Sequence, residues 1–287
     1  DNSGVYCSGL TYNITAINNG GLTASAGAPA TGNGLAADVI SNDAWTNISG
    51  INANVIYTVV PVSSQGCTGA SENITVIVQS EPKGDHADLE ICSGTTLNYD
   101  IQTQNINILG NGQPSTFSWV AAANFNVAGE STTAKTTGII NDNLVNVSGS
   151  DQTVIYTVTP TGSANLCPGN SFTVFVKVKS QPVGWNATTS TCSDAALSYN
   201  LQTSVINVAP GNSQASTFSW VATANPNVTG ESTIAKSGNV INDVLHNVTG
   251  SDQSVVYTVT PTGTNLCTGN SFTVTVTVES EPTGGAG

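Results

Sequence analysis

One block recurs three times and limits what this chain can fold into. Val255-Val256-Tyr257-Thr258-Val259-Thr260-Pro261 leads to Cys267 and then to Ser271-Phe272-Thr273-Val274-Thr275-Val276-Thr277-Val278. The same order stands at 154–160, Cys167 and 171–178, and a looser copy at 55–61, Cys67 and 73–78. In each run apolar and hydroxyl side chains alternate with a period of two, and β-branched residues dominate. That is the signature of a half-buried strand. Two such runs across a short polar turn predict an antiparallel hairpin. Each block closes on a proline linker, Glu81-Pro82, Gln181-Pro182 or Glu281-Pro282. The pattern predicts tandem β-units rather than one helical or doubly wound domain.

The units are expected at 1–82, 83–182 and 183–287. Cysteine spacing sets the period, since Cys92 to Cys192 and Cys167 to Cys267 are each 100 residues apart. Trp119 and Trp220 differ by 101 because the turn 209–212 carries one extra residue, which 262–265 gives back. Length changes confined to turns are what a packed β-domain tolerates. Phe117 and Trp119 share one strand face, as do Phe218 and Trp220, and with Tyr156 and Tyr257 they are the expected core aromatics. The first unit lacks Phe-Ser-Trp, so Trp45 is expected to compensate from another strand. No segment has the period of a long amphipathic helix. About seven short strands per unit with frequent turn signals predict an all-β chain of three immunoglobulin-like sandwiches in an extended rod.

Composition narrows the partners. Five Lys+Arg against 18 Asp+Glu give a net charge of -13, which disfavours nucleic acid and anionic membrane surfaces. No apolar run approaches the roughly 20 residues needed to span a bilayer. With no signal peptide and no methionine, the chain reads as a mature fragment of something longer. Its six cysteines, Cys7, Cys67, Cys92, Cys167, Cys192 and Cys267, fall as one early and one late in each unit. That predicts disulfides and an oxidising compartment rather than zinc, which needs close-spaced ligands.

Catalysis finds little support. His86 and His246 do not recur between units, and no GxSxG elbow occurs. Asp142, Asp243 and Asp43 recur, as do Glu130 with Glu231 and Asp151 with Asp252. Without a DxDxDG loop they read as turn-stabilising groups rather than calcium ligands, and neither metal nor cofactor is expected. Sequons stand at Asn13, Asn47, Asn73, Asn146, Asn186, Asn227 and Asn247. Trp185, in a linker, is the one aromatic placed to offer a glycan platform, and a contact at a domain boundary explains it equally well.

The closing pattern VxYTVTPT…C.GNSFTVTVTV, at 255–278 and 154–178, resembles the PKD-like and Ig-like tandem repeats of giant surface proteins in Bacteroidota, among them gliding-motility adhesins of the SprB type and other type IX secretion substrates. The likeness is close in the second and third units and partial in the first. It implies a non-catalytic stalk in a filament on the bacterial cell surface, with neighbouring repeats as partners and lateral self-association conceivable along exposed strand edges. The rival functions are a carbohydrate-binding module and an accessory region of a secreted hydrolase. In a regular immunoglobulin topology the early and late cysteines of one unit fall at opposite ends of the sandwich, whereas a bridge needs Cα atoms within about 7 Å. Pairing within each unit is nevertheless the expectation, because it needs no fixed contact between domains. The alternative joins neighbours, Cys7 to Cys167 and Cys92 to Cys267, with Cys67 and Cys192 pairing elsewhere.

Overall fold

The structure, a computed structural model, describes residues 10–281. The recurring block forms the predicted hairpin in all three units: Ala53–Val62 with Glu72–Val78, Gln152–Gly162 with Phe172–Lys179, and Gln253–Gly263 with Phe272–Glu279. Register places Val154 opposite Val176, Tyr156 opposite Val174 and Val158 opposite Phe172. All six residues point inward and are buried, while the threonines between them face outward or lie half-buried. Period-two alternation therefore becomes one dry face and one wet face.

In the second unit the main sheet runs Ser115–Ala121, Gln152–Gly162, Phe172–Lys179, Ala87–Cys92, and the last strand joins parallel to the closing strand. A smaller layer covers it. Asn143–Asn146 pairs with Val127–Ala128 and Thr95–Thr96, and Tyr99–Asp100 pairs with Ile139–Ile140. The third unit repeats this sheet and extends it with Lys236–Ser237. Between the layers lies a core that includes Trp119, Tyr156, Ile140, Leu144 and Val174 in the second unit, and Trp220, Tyr257, Ile241, Leu245 and Val274 in the third. Trp119 meets Tyr156 edge to face at 5.8 Å and Trp220 meets Tyr257 at 5.7 Å. Trp119 Nε1 donates to the Thr137 carbonyl at 2.9 Å, whereas Trp220 Nε1 has no protein acceptor. A one-turn π-helix at Gln102–Ile106, and its copy at Gln202–Ile206, was not evident in the sequence, because five residues are too few to show a period.

The first unit differs in its sheet. Its order is Gly32–Leu35, Thr11–Asn18, Ala53–Val62, Glu72–Val78, and among the described residues no parallel strand covers Glu72–Val78. Ile74 and Val76 on that edge are 42 % and 38 % exposed, while their counterparts Val174 and Val176 on the covered strand are fully buried. Trp45 does compensate for the missing Phe-Ser-Trp. It packs against the small core of Ile14, Val55, Tyr57 and Val59, and its Nε1 donates to Tyr57 Oη at 3.1 Å.

The repeat junction as the candidate functional site

Each unit is held together by two buried polar hubs, and these prepare its ends for the next unit. The first is an aspartate. Asp142 accepts from Ser131 N and Ser131 Oγ, both at 2.7 Å, and from the Tyr156 hydroxyl at 2.9 Å. Asp243 repeats this with Ser232 and Tyr257, and Asp43 accepts from Tyr57 at 2.7 Å. Burial, and after it the hydrogen bond to Asp142, holds the Tyr156 phenol well above its ordinary value; burial and Asp243 do the same for Tyr257. With both oxygens taken by protein donors, Asp142 and Asp243 do the turn-holding work expected of them. No group of three or more metal-ligating side chains gathers among the described residues.

The second hub was hidden in the sequons. Asn146 Nδ2 donates to Ser150 O at 2.8 Å and Val178 O at 2.9 Å, while its Oδ1 accepts from Ser148 N and Oγ at 2.9 and 2.8 Å. Asn47 and Asn247 make the same four bonds with Ser49 and Thr249. The hydroxyl at the third sequon position is thus a turn element, and a buried amide has all its valences met. The signal was present in the sequence as an Asn-x-Ser/Thr repeated just ahead of every closing hairpin.

Beyond this clamp the chain enters the linker, and the next unit docks there. At the first junction Asn165, in the closing turn of the second unit, donates to Ser80 O at 2.6 Å. Asn111 donates to Ile48 O and Glu81 O at 3.0 and 2.9 Å and accepts from Lys83 N at 3.0 Å. At the second junction Asn265 donates to Ser180 O at 2.7 Å, and Asn212 donates to Gln181 O at 2.8 Å and accepts from Val183 N at 3.0 Å. The linker prolines Pro82 and Pro182 are buried, and Gly169 and Gly269 approach their carbonyls too closely to admit a Cβ. Ser80 and Ser180 are 0 % and 4 % exposed. Two junctions with one contact set are a head-to-tail interface that propagates without closing.

The disulfide corrects the expected pairing. Cys92 is bonded to Cys267, with Cα atoms 5.5 Å apart and 175 residues between them in sequence. The within-unit bond Cys92–Cys167 is excluded by the sheet. Cys92 lies opposite Lys179 at the linker end of the closing strand, whereas Cys167 lies in the turn before Phe172. Seven residue steps at about 3.3 Å separate those ends by over 20 Å. The far end is where the next unit's turn lands, so the bridge crosses the junction. Among the described residues Cys67, Cys167 and Cys192 carry no bond. Cys7 lies outside the described residues. Cys167 sits at the first junction, 3.6 Å from Gln79 Oε1.

The remaining residues singled out earlier are structural. Trp185 is half-buried, packs on the core of the third unit and donates its Nε1 to Val205 O at 3.1 Å, which removes the glycan platform. His86 lies on Phe175 beside Asp88, and His246 sits beside Asp194, both partly exposed. No helix is long and apolar enough to cross a membrane among the described residues.

No curated protein matches the sequence. Among solved structures, human Desmocollin-1 ectodomain matches at 10% identity and a TM-score of 0.23, covering 94% of this chain and 54% of that one. The fibronectin(III)-like modules of Clostridium thermocellum CbhA match at 9% and 0.25, covering 67% and 90%. Protocadherin Gamma B2 extracellular cadherin domains 3-6 match at 10% and 0.23, covering 94% and 68%. Such low scores add nothing to the reading of the junctions. No enzymatic family is indicated, and modules of this kind are typically extracellular and non-catalytic. The PKD-like domain model matches residues 2–82, 89–182 and 189–282, nearly the whole chain, and the protein belongs to the PKD-like domain family.

Proposed function

We propose that this chain is a stalk segment of an extracellular bacterial adhesin filament, its units spanning 1–82, 83–182 and 183–287. The observation that carries this reading is the Cys92–Cys267 bridge across a junction whose other contacts occur twice. A module that only binds needs no covalent strap to its neighbour; a segment under tension gains from one. The bridge also suits an oxidising compartment. In the finer version of this reading the parent protein is an SprB-type, type IX secretion substrate serving gliding or surface attachment.

The test belongs in the source cells. Antibody to residues 83–182 is expected to label surface filaments on intact cells. In-frame removal of the second and third units is expected to shorten those filaments without abolishing attachment at their tips. Labelling only after lysis, or filaments of unchanged length, would refute the stalk.

A further inference from the structure

The third unit ends in the same docking face as the second, and among the described residues nothing covers it. Ala187–Cys192 runs parallel to Phe272–Glu279 and brings Cys192 opposite Glu279, as Cys92 stands opposite Lys179. Ser280 N donates to Asp252 Oδ1 at 3.0 Å, as Ser180 N does to Asp151 Oδ1 at 3.0 Å. Asn247 holds Val278 O as Asn146 holds Val178 O. Ser80 and Ser180 are buried under the next unit's turn, whereas Ser280 is only half-buried and Cys192 is exposed.

We infer that Cys192 is the open half of a further inter-repeat disulfide, and that this end of the third unit receives the closing hairpin of a following PKD-like repeat. The counterpart of Cys192 one period earlier, at the same register on the same strand, makes this bond to a hairpin cysteine. The occupant is defined by the two junctions within the chain. Its turn carries Asn-Leu-Cys, as at Asn165-Leu166-Cys167 and Asn265-Leu266-Cys267. The asparagine donates to the Ser280 carbonyl and the cysteine meets Cys192. A second copy of this chain fits less well, because its first unit presents Gln65-Gly66-Cys67 at that turn.

The chemistry is a two-electron oxidation. Two thiols and one small-molecule disulfide such as oxidised glutathione give one protein disulfide and two small thiols, by exchange through a mixed disulfide. A continued series of such bridges would let tension cross from each hairpin cysteine along 25 residues, as from Cys167 to Cys192, to the next bond, leaving the rest of each sandwich outside the load path. The inference takes the nature of the occupant from the stalk reading, but its test does not depend on that reading.

The experiment extends the full chain after residue 282 with a second copy of residues 183–282. The extended chain is oxidised with glutathione disulfide and its peptides are mapped without reduction. The expected result is a peptide joining Cys192 to the hairpin cysteine of the added copy, lost on Cys192→Ser while Cys92–Cys267 persists. A companion chain extended with residues 83–282, which brings its own internal bridge, guards against misfolding of a single added unit; there Cys192 is expected to join the copy's Cys167. Cys192 recovered as a free thiol in both chains would overturn the inference. So would head-to-tail multimers of the 287-residue chain joined Cys192 to Cys67, which would make the occupant a second copy. Either failure leaves the Cys92–Cys267 bridge, and the stalk reading it carries, intact.

Discussion

Pulling on the ends of this chain with and without reductant gives the sharpest test of the bridge. Load entering from the first unit reaches Cys92 at the end of Ala87–Cys92 and crosses to Cys267, from which it leaves along Phe272–Glu279. The 175-residue separation between the two cysteines is then shielded. At about 3.5 Å per extended residue, that is roughly 600 Å of contour length withheld from the oxidised chain. Single-molecule force extension should show the first unit unfolding under both conditions. The unfolding step of the second unit should appear only after reduction, or in a Cys92→Ser chain. The same bridge restricts the unfolded state, and the loop-entropy model assigns about 5 kcal/mol to a loop of this length. Equal total contour lengths in oxidised and reduced chains would refute the assigned load path, as would a second-unit unfolding step with the disulfide intact.

Three further outcomes follow from the buried hubs and the uneven sheets. Asp142→Ala removes a carboxylate that accepts three hydrogen bonds and strands the buried Tyr156 hydroxyl. The second unit should lose about 4 kcal/mol, a fall on the order of 20 °C in its calorimetric transition, with Tyr156→Phe costing about half as much. The raised phenols of Tyr156 and Tyr257 predict alkaline sensitivity. Because the folded state holds these protons more tightly than the unfolded chain, their contribution is complete below about pH 10 and is lost as pH rises above it. Urea midpoints should therefore fall from pH 10 to pH 12, and less so in the Tyr156→Phe, Tyr257→Phe double variant. The first unit, whose buried core among the described residues is Ile14, Val55, Tyr57 and Val59, should melt first. Hydrogen exchange should show Ile56 and Tyr57 amides opening before those of Ile155 and Tyr156.

The sequence by itself determined the all-β class, the 100-residue period, the closing hairpins and the inward aromatics. Each of these is a local pattern. Alternation in 154–160 states which side chains face inward, and Tyr156 and Trp119 lie on those faces whatever the neighbours do. Trp45 was legible for the same reason, as an aromatic where the Phe-Ser-Trp strand was missing. Only the tertiary structure decided what the cysteines and sequons do. Cys92 and Cys167 share a unit, but a parallel strand carries Cys92 to the end of the sheet away from the turn of Cys167. That turn belongs to a different junction, and no spacing along the chain encodes which end of one sandwich touches the next. Asn146 read only as one of seven sequons because its acceptors, Val178 O among them, are 32 residues away or in a turn whose shape is set by packing. The exposure of Glu72–Val78 escaped notice too, since that strand alternates as the others do and its burial depends on what packs against it. Local periodicity wrote the units; the contacts that join them are long-range and polar, and they became visible only with the chain folded.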